Sequence, residues 1–177
     1  MVTAVDVKSR MGDMISIDIL TDLSQRPLQA AQALPDLSPE QLNSRLGGHP
    51  NSVAWLLWHS GREIDVQLSA LTGKPEQWED FRNRFDLGEI GETFGYGHSP
   101  EQAAEIKVDD QQLLVDYLAA ALNAFTDYAK TLSEDDFDEV IDRNWTPAVT
   151  RGVRMVSIID DAIQHVAQAA FIAGASV

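Results

Sequence analysis

Apolar residues recur at three- and four-residue intervals in four stretches of the chain, the pattern of helices that each bury one face. The first stretch runs from about Met14 to Leu34. Pro27 divides it. Either Ser24 caps a helix with Pro27 in its first turn, where a missing N–H costs little, or one longer helix is kinked there. The second stretch starts from an N-cap at Asn51 or Ser52 and runs to about Leu71, where Gly73 and Pro75 stop it. The third spans about Asp109 to Leu132, with Asp109 and Asp110 at its positive N-terminal end. Leu113, Leu114, Tyr117, Leu118, Ala121, Leu122, Phe125 and Tyr128 give it a wide apolar stripe. The fourth spans about Arg151 to Ala173, with Gly174 as its stop.

The connections differ in length. Pro35 to Leu42 reads as a turn followed by a short helix opened by Ser38-Pro39, and Gly47-Gly48-His49-Pro50 is a break. Gly73 to Val108 is far longer and holds Trp78, Phe81, Phe85, Phe94 and Tyr96, with Ser99-Pro100-Glu101 able to start a short helix. A connection of that length is functional or carries a crossover, and its aromatics predict that it packs over the helices. In a bundle, one long crossover joins parallel neighbours and short loops join antiparallel ones. The pattern predicts an all-α chain, residues 1–177 forming one domain, folded as an antiparallel four-helix bundle with one long crossover between helices two and three. Roughly the first 12 residues read as a flexible or docking tail.

Composition narrows the function classes. A chain of 177 residues is long enough to bury a core without covalent staples. Cysteine is absent, which excludes disulfides, cysteine-based zinc sites and a catalytic thiol, and suits a reducing cytoplasm. The net charge of −15, from 28 acidic and 13 basic residues, disfavours nucleic acid and anionic membrane surfaces as partners. No signal-peptide core stands near the N-terminus, and no apolar run approaches the roughly 20 residues of a membrane span. A soluble, cytoplasmic protein acting on a small molecule is the expectation.

The residues that could carry chemistry sit on helices two and four. At about 100° per residue, Asp161 and His165 share one face of helix four, at the edge of an arc filled by Met155, Ile158, Ile159, Ala162, Ile163, Val166, Ala169 and Ala170. His59 sits at the edge of the core arc of helix two, Val53, Leu56, Leu57, Ile64, Leu68 and Leu71, with Glu63 as its i+4 neighbour. One helical turn brings a carboxylate and an imidazole within reach of one cation, and three such groups plus water would match an open catalytic metal site. The plainer alternative is a hydrogen bond between Asp161 and His165 beside a partly exposed His59. Four further residues carry paired readings. His98 is a proton shuttle or a structural loop histidine. Glu63 is a general base, an outer partner of His59, or half of a helix-surface pair. Arg62 and Arg151 hold a carboxylate of a substrate or thiol cofactor, or form surface ion pairs.

The stretches Asn51-Ser52-Val53-Ala54-Trp55-Leu56-Leu57-Trp58-His59 and Asp160-Asp161-Ala162-Ile163-Gln164-His165-Val166-Ala167-Gln168-Ala169-Ala170 resemble the second-helix and last-helix motifs of the DinB-like superfamily. The loop Gly95-Tyr96-Gly97-His98 and the turn Leu37 to Leu42 fit the same family, and the resemblance runs from about Ile17 to Gly174. It is nearest the actinobacterial branch that includes mycothiol-dependent enzymes. It implies a four-helix bundle with one long crossover and a divalent metal held by His59, Asp161 and His165. Zinc is the first expectation, nickel or another ion the alternative. Asp161 departs from the His or Glu of other members and is one methylene shorter than Glu. The activity implied is metal-dependent S-transfer or isomerisation with a small thiol such as mycothiol. The alternative it implies is a non-catalytic, dimerising, stress-associated bundle with a degenerate metal site. A homodimer is expected in either case.

Overall fold

Pro27 does not divide the first periodic stretch. In the computed structural model, which describes residues 15–175, α1 (Ser16–Gln32) runs through it unbroken. A proline inside a helix costs about 3 kcal/mol because it has no N–H to give. Here it lies on the buried stripe of Leu20, Ser24, Pro27 and Ala31, so packing holds the helix together. Ser24 is no cap: its hydroxyl donates to the Thr21 carbonyl at 2.8 Å and meets Thr126 Oγ1 at 3.1 Å. The tail expected before α1 lies outside the described residues.

The remaining elements follow local chemistry. Ser38 and Gln41 form a reciprocal capping box for α2 (Pro39–Asn43). Ser52 caps α3 (Val53–Thr72) by accepting from the Trp55 N–H at 3.1 Å, and Gly73 ends it with φ 68°. The long connection folds into α4 (Trp78–Phe85) and α5 (Pro100–Glu105), the latter opened by Ser99. Asp110 caps α6 (Gln111–Ala129). Then come α7 (Glu134–Phe137), an antiparallel pair β1 (Val140–Asp142) and β2 (Val149–Thr150), and α8 (Arg151–Ala175). Gly174 is not the stop expected of it. α8 continues through it to Ala175, and it lacks the left-handed backbone that lets Gly73 end α3.

The described chain is thus mostly helical, with one two-stranded sheet that the helical pattern does not predict. α3 lies along α6 and α8, and α1 lies along the same two. Among the described residues no helix is long and apolar enough to cross a membrane.

The position of α3 sets up the site. Every residue from Val53 to Arg62 is buried, Trp55 and Trp58 included, because the connection between α3 and α6 folds back over its outer face. Two features hold that arrangement. Gly61 lets the Tyr117 ring of α6 lie on the α3 backbone: a Cβ there would stand 2.7 Å from two ring carbons. A buried polar cluster then ties the connection down. Asp65 accepts from the Gln77 and Trp78 N–H groups, each at 2.8 Å, and from the Tyr117 hydroxyl at 2.9 Å. Arg62 donates to Glu76 at 2.6 Å and to the Thr93 carbonyl at 2.9 Å.

Candidate metal centre

α3 and α8 pack side by side, and this brings His59 of α3 against Asp161 and His165 of α8. One potential ligand atom from each of the three lies within 4.8 Å of the others. The two imidazole rings are 4.7 Å apart between centroids, and His165 Nε2 is 3.5 Å from Asp161 Oδ1. His59 is buried, while Asp161 and His165 are partly exposed, so the cluster is closed from the core side and open from the other.

Each group's proton is placed by its neighbours. The Phe94 carbonyl can only accept, so His59 Nδ1 donates to it and Nε2 carries the lone pair. Burial pushes the His59 pKa down to about 4, with the nearby His165 contributing, so the ring is neutral at neutral pH. His165 Nδ1 faces Gln168 Oε1 at 3.2 Å. Burial alone would lower the His165 pKa, but the hydrogen bond and charge of Asp161 hold it above the usual imidazole value. Burial would likewise raise Asp161, and the same pairing holds it below the usual carboxylate range.

Asp161 Oδ2 is buried and has no hydrogen-bond partner. A buried carboxylate oxygen without a donor is costly. A cation between Asp161 and the two imidazoles would supply what it lacks. Two imidazole nitrogens and one carboxylate, with an open side, form the donor set of a three-ligand catalytic divalent-metal site once a cation displaces the proton of His165. The residues present therefore fit a divalent cation.

Of the three, Asp161 lines a cleft of about 570 Å³, together with Glu63. Its walls include Phe94 and Tyr96 from the connection, Trp145 and Val149 from the β hairpin, and Arg154 of α8. Glu63 accepts from Gln67 at 2.9 Å, and burial, with the charge of Asp161 adding to it, raises its pKa. His98 stands one residue away from the cluster. Its Nδ1 accepts from the Trp55 indole N–H at 3.3 Å, its Nε2 faces Thr93 Oγ1 at 2.9 Å, and burial lowers its pKa. Arg62 and Arg151 do not line the cleft. Arg62 is buried in the cluster with Glu76, and Arg151 is bound to Tyr128 and Glu139.

A model of the DinB superfamily matches residues 22–169. The chain belongs to the DinB superfamily. That superfamily includes metal-binding helical proteins. A solved structure, described as a conserved protein from Enterococcus faecalis, is similar to this DinB chain with 36% sequence identity and a TM-score of 0.83. The match covers 90% of this chain and 96% of that one. No curated protein matches the chain.

Sequence reasoning missed three parts of the site. Trp55 reads as a core or interface aromatic, yet its ring stacks on His59 at 4.5 Å. Phe94 acts through its carbonyl, which no side-chain pattern reveals. Trp145, Val149 and Arg154 belong to or follow the hairpin. Its signal, the β-branched pairs at Val140-Ile141 and Val149-Thr150 around Asn144 and Pro147, is short beside the helical patterns on either side.

Proposed function

We propose that this protein is a divalent-metal enzyme of the mycothiol-dependent kind, transferring or isomerising with a small thiol at the cleft beside Asp161. The unpartnered Asp161 Oδ2, set beside the imidazoles of His59 and His165, is the observation that carries the reading. His59, Asp161 and His165 would hold the ion, zinc first among the choices. When bound, such an ion lowers the pKa of a coordinated thiol or water and favours its nucleophilic form. The chain has no cysteine, so the sulfur must arrive on a small molecule. Phe94, Tyr96 and Trp145 wall the cleft with apolar surface for an electrophile. Glu63, its pKa raised, is placed to exchange a proton with a molecule in the cleft. The reading takes the four long helices as an antiparallel bundle with its single crossover between α3 and α6, the frame that keeps this cleft open.

The test is a screen of small thiols, mycothiol included, against electrophiles, run with zinc-loaded and chelator-stripped protein. Turnover that needs both zinc and thiol supports the proposal; turnover unaffected by stripping removes it.

A second reading has its own support. Val153, Val156 and Phe171 of α8 and Ile19 of α1 are 57, 54, 72 and 54% exposed. Apolar surface of that kind suits a homodimer formed through helix faces. In a non-catalytic form of the protein, this contact would be the function. Sedimentation of the tag-free chain decides it: a stable dimer without zinc or thiol turnover favours this reading.

A further inference from the structure

His59 is held from outside its own helix by a segment whose backbone lies against its ring. Residues 93–98 cross the outer face of α3. The Phe94 carbonyl meets His59 Nδ1. Gly95, with φ 92°, follows immediately, and a Cβ on it would stand 2.5 Å from that same nitrogen and 3.1 Å from the Trp55 ring. No L side chain fits there, so the glycine is what lets the backbone lie against the imidazole. Trp55 stacks on the His59 ring with planes 26° apart, which opposes tilting of the ring out of that plane.

The segment is pinned from behind. Arg62 Nε donates to the Thr93 carbonyl at 2.9 Å. The Thr93 hydroxyl donates to the Ile90 carbonyl at 2.6 Å and accepts from His98 Nε2 at 2.9 Å. His98 Nδ1 accepts from the Trp55 indole, which can only donate, so the His98 proton is confined to Nε2 and the chain of bonds has a single consistent direction. Trp55 therefore touches His59 with its ring face and the pinning residues with its N–H.

We propose that the segment Thr93–His98 is a positioning clamp: it fixes the orientation of His59 and keeps its proton on Nδ1, and in doing so sets the affinity of the metal centre. This rests on the metal reading for its consequence but not for the clamp itself. A flipped ring would put a carbon where Nδ1 donates and leave the half-buried Phe94 carbonyl without that donor, a cost that favours one ring state. Thr93, Arg62 and His98 are positioning residues that act through this contact.

The test uses the full tag-free chain and two glycine variants. Gly95→Ala introduces both left-handed strain and the clash with His59. Gly97→Ala introduces the strain alone, because φ there is 74° and a Cβ would meet nothing within 4 Å. Nitrogen-15 NMR of the imidazoles in chelator-treated protein reads the tautomer, and titration with zinc reads the affinity, with circular dichroism confirming the fold. The expected result is an Nδ1-protonated His59 in wild type and in Gly97→Ala. Gly95→Ala should lose that signature and about tenfold or more in zinc affinity, the scale on which an outer partner of a metal-bound histidine counts. Should Gly95→Ala fail to fold, Thr93→Val weakens binding and Thr93→Ser restores it. An Nε2-protonated His59 in wild type, or equal weakening by the two alanine variants, overturns the clamp. Nδ1 protonation in a wild type that takes up no zinc leaves the clamp standing and removes the metal reading instead.

Discussion

Asp161 and His165 face each other across one turn of α8, with Oδ1 at 3.5 Å from Nε2, while the second carboxylate oxygen of Asp161 is buried with no partner. The two oxygens thus stand in different situations, one paired and one exposed to the cost of desolvation. A neutral amide in place of the carboxylate keeps the size but loses the charge. Asp161→Asn is expected to weaken zinc binding by more than the roughly 10–100-fold that loss of an outer partner brings. Asp161→Glu, which keeps the charge and lengthens the reach, should retain binding. Competition titration against a zinc chelator measures both, and equal affinity in Asp161→Asn and wild type would remove this residue from the centre.

The pH dependence follows from His165. In metal-free protein its pKa is raised by Asp161, so the pair's stabilising contribution is fully present below the unfolded value near 6.5 and is lost as pH rises through the higher folded value. A metal needs the neutral ring. Protons and metal therefore compete, and the rise in melting temperature caused by zinc should be larger at about pH 8 than at about pH 6. A zinc-induced shift that is the same at both would contradict the placing of His165 as a ligand.

The packing of α6 on α3 predicts an inversion of ordinary helix propensity. Alanine is favoured over glycine in a helix interior by about 1 kcal/mol. At Gly61 it would stand 2.7 Å from the Tyr117 ring. Gly61→Ala should destabilise the fold by about 1–3 kcal/mol, the scale of overpacking a filled core. Urea denaturation checks it, and a stabilised variant would show that the ring moves freely.

Arg62 is 2% exposed and pairs with Glu76 at 2.6 Å beside Asp65 and Tyr117. Removing one partner of a buried pair costs about 3–5 kcal/mol because the other charge stays behind. The charge left behind at Asp65 is buried, while Glu76 keeps 30% of its side chain exposed, so Arg62→Met should lose stability toward the lower end of that scale. A loss below about 1 kcal/mol, the range of exposed pairs, would place Arg62 among surface ion pairs.

Much of this was legible in the chain. The four long helices and most of their ends lie where periodicity and caps put them, because Ser52, Gly73 and Asp110 act locally. The Asp161–His165 juxtaposition is a matter of one helical turn and needs no tertiary knowledge. Its meeting with His59 needs the packing of α3 on α8, which the motif resemblance suggested and spacing alone did not. Pro27 left two readings open, and the single helix holds because burial of a stripe overrides a local penalty. α3 misled in another way: Trp55 and Trp58 fall outside its apolar arc, and only the connection folding back over them explains their burial. The Phe94 carbonyl was invisible, since every residue has one.

The metal reading requires α3 and α8 to hold one cation between them. Equilibrium dialysis of the tag-free chain against zinc, followed by elemental analysis, decides whether they do. Wild type should hold one zinc per chain, and His59→Ala and His165→Ala should each hold little or none while keeping their helical content. Equal zinc in wild type and in the two variants, or none in any of them, would contradict it.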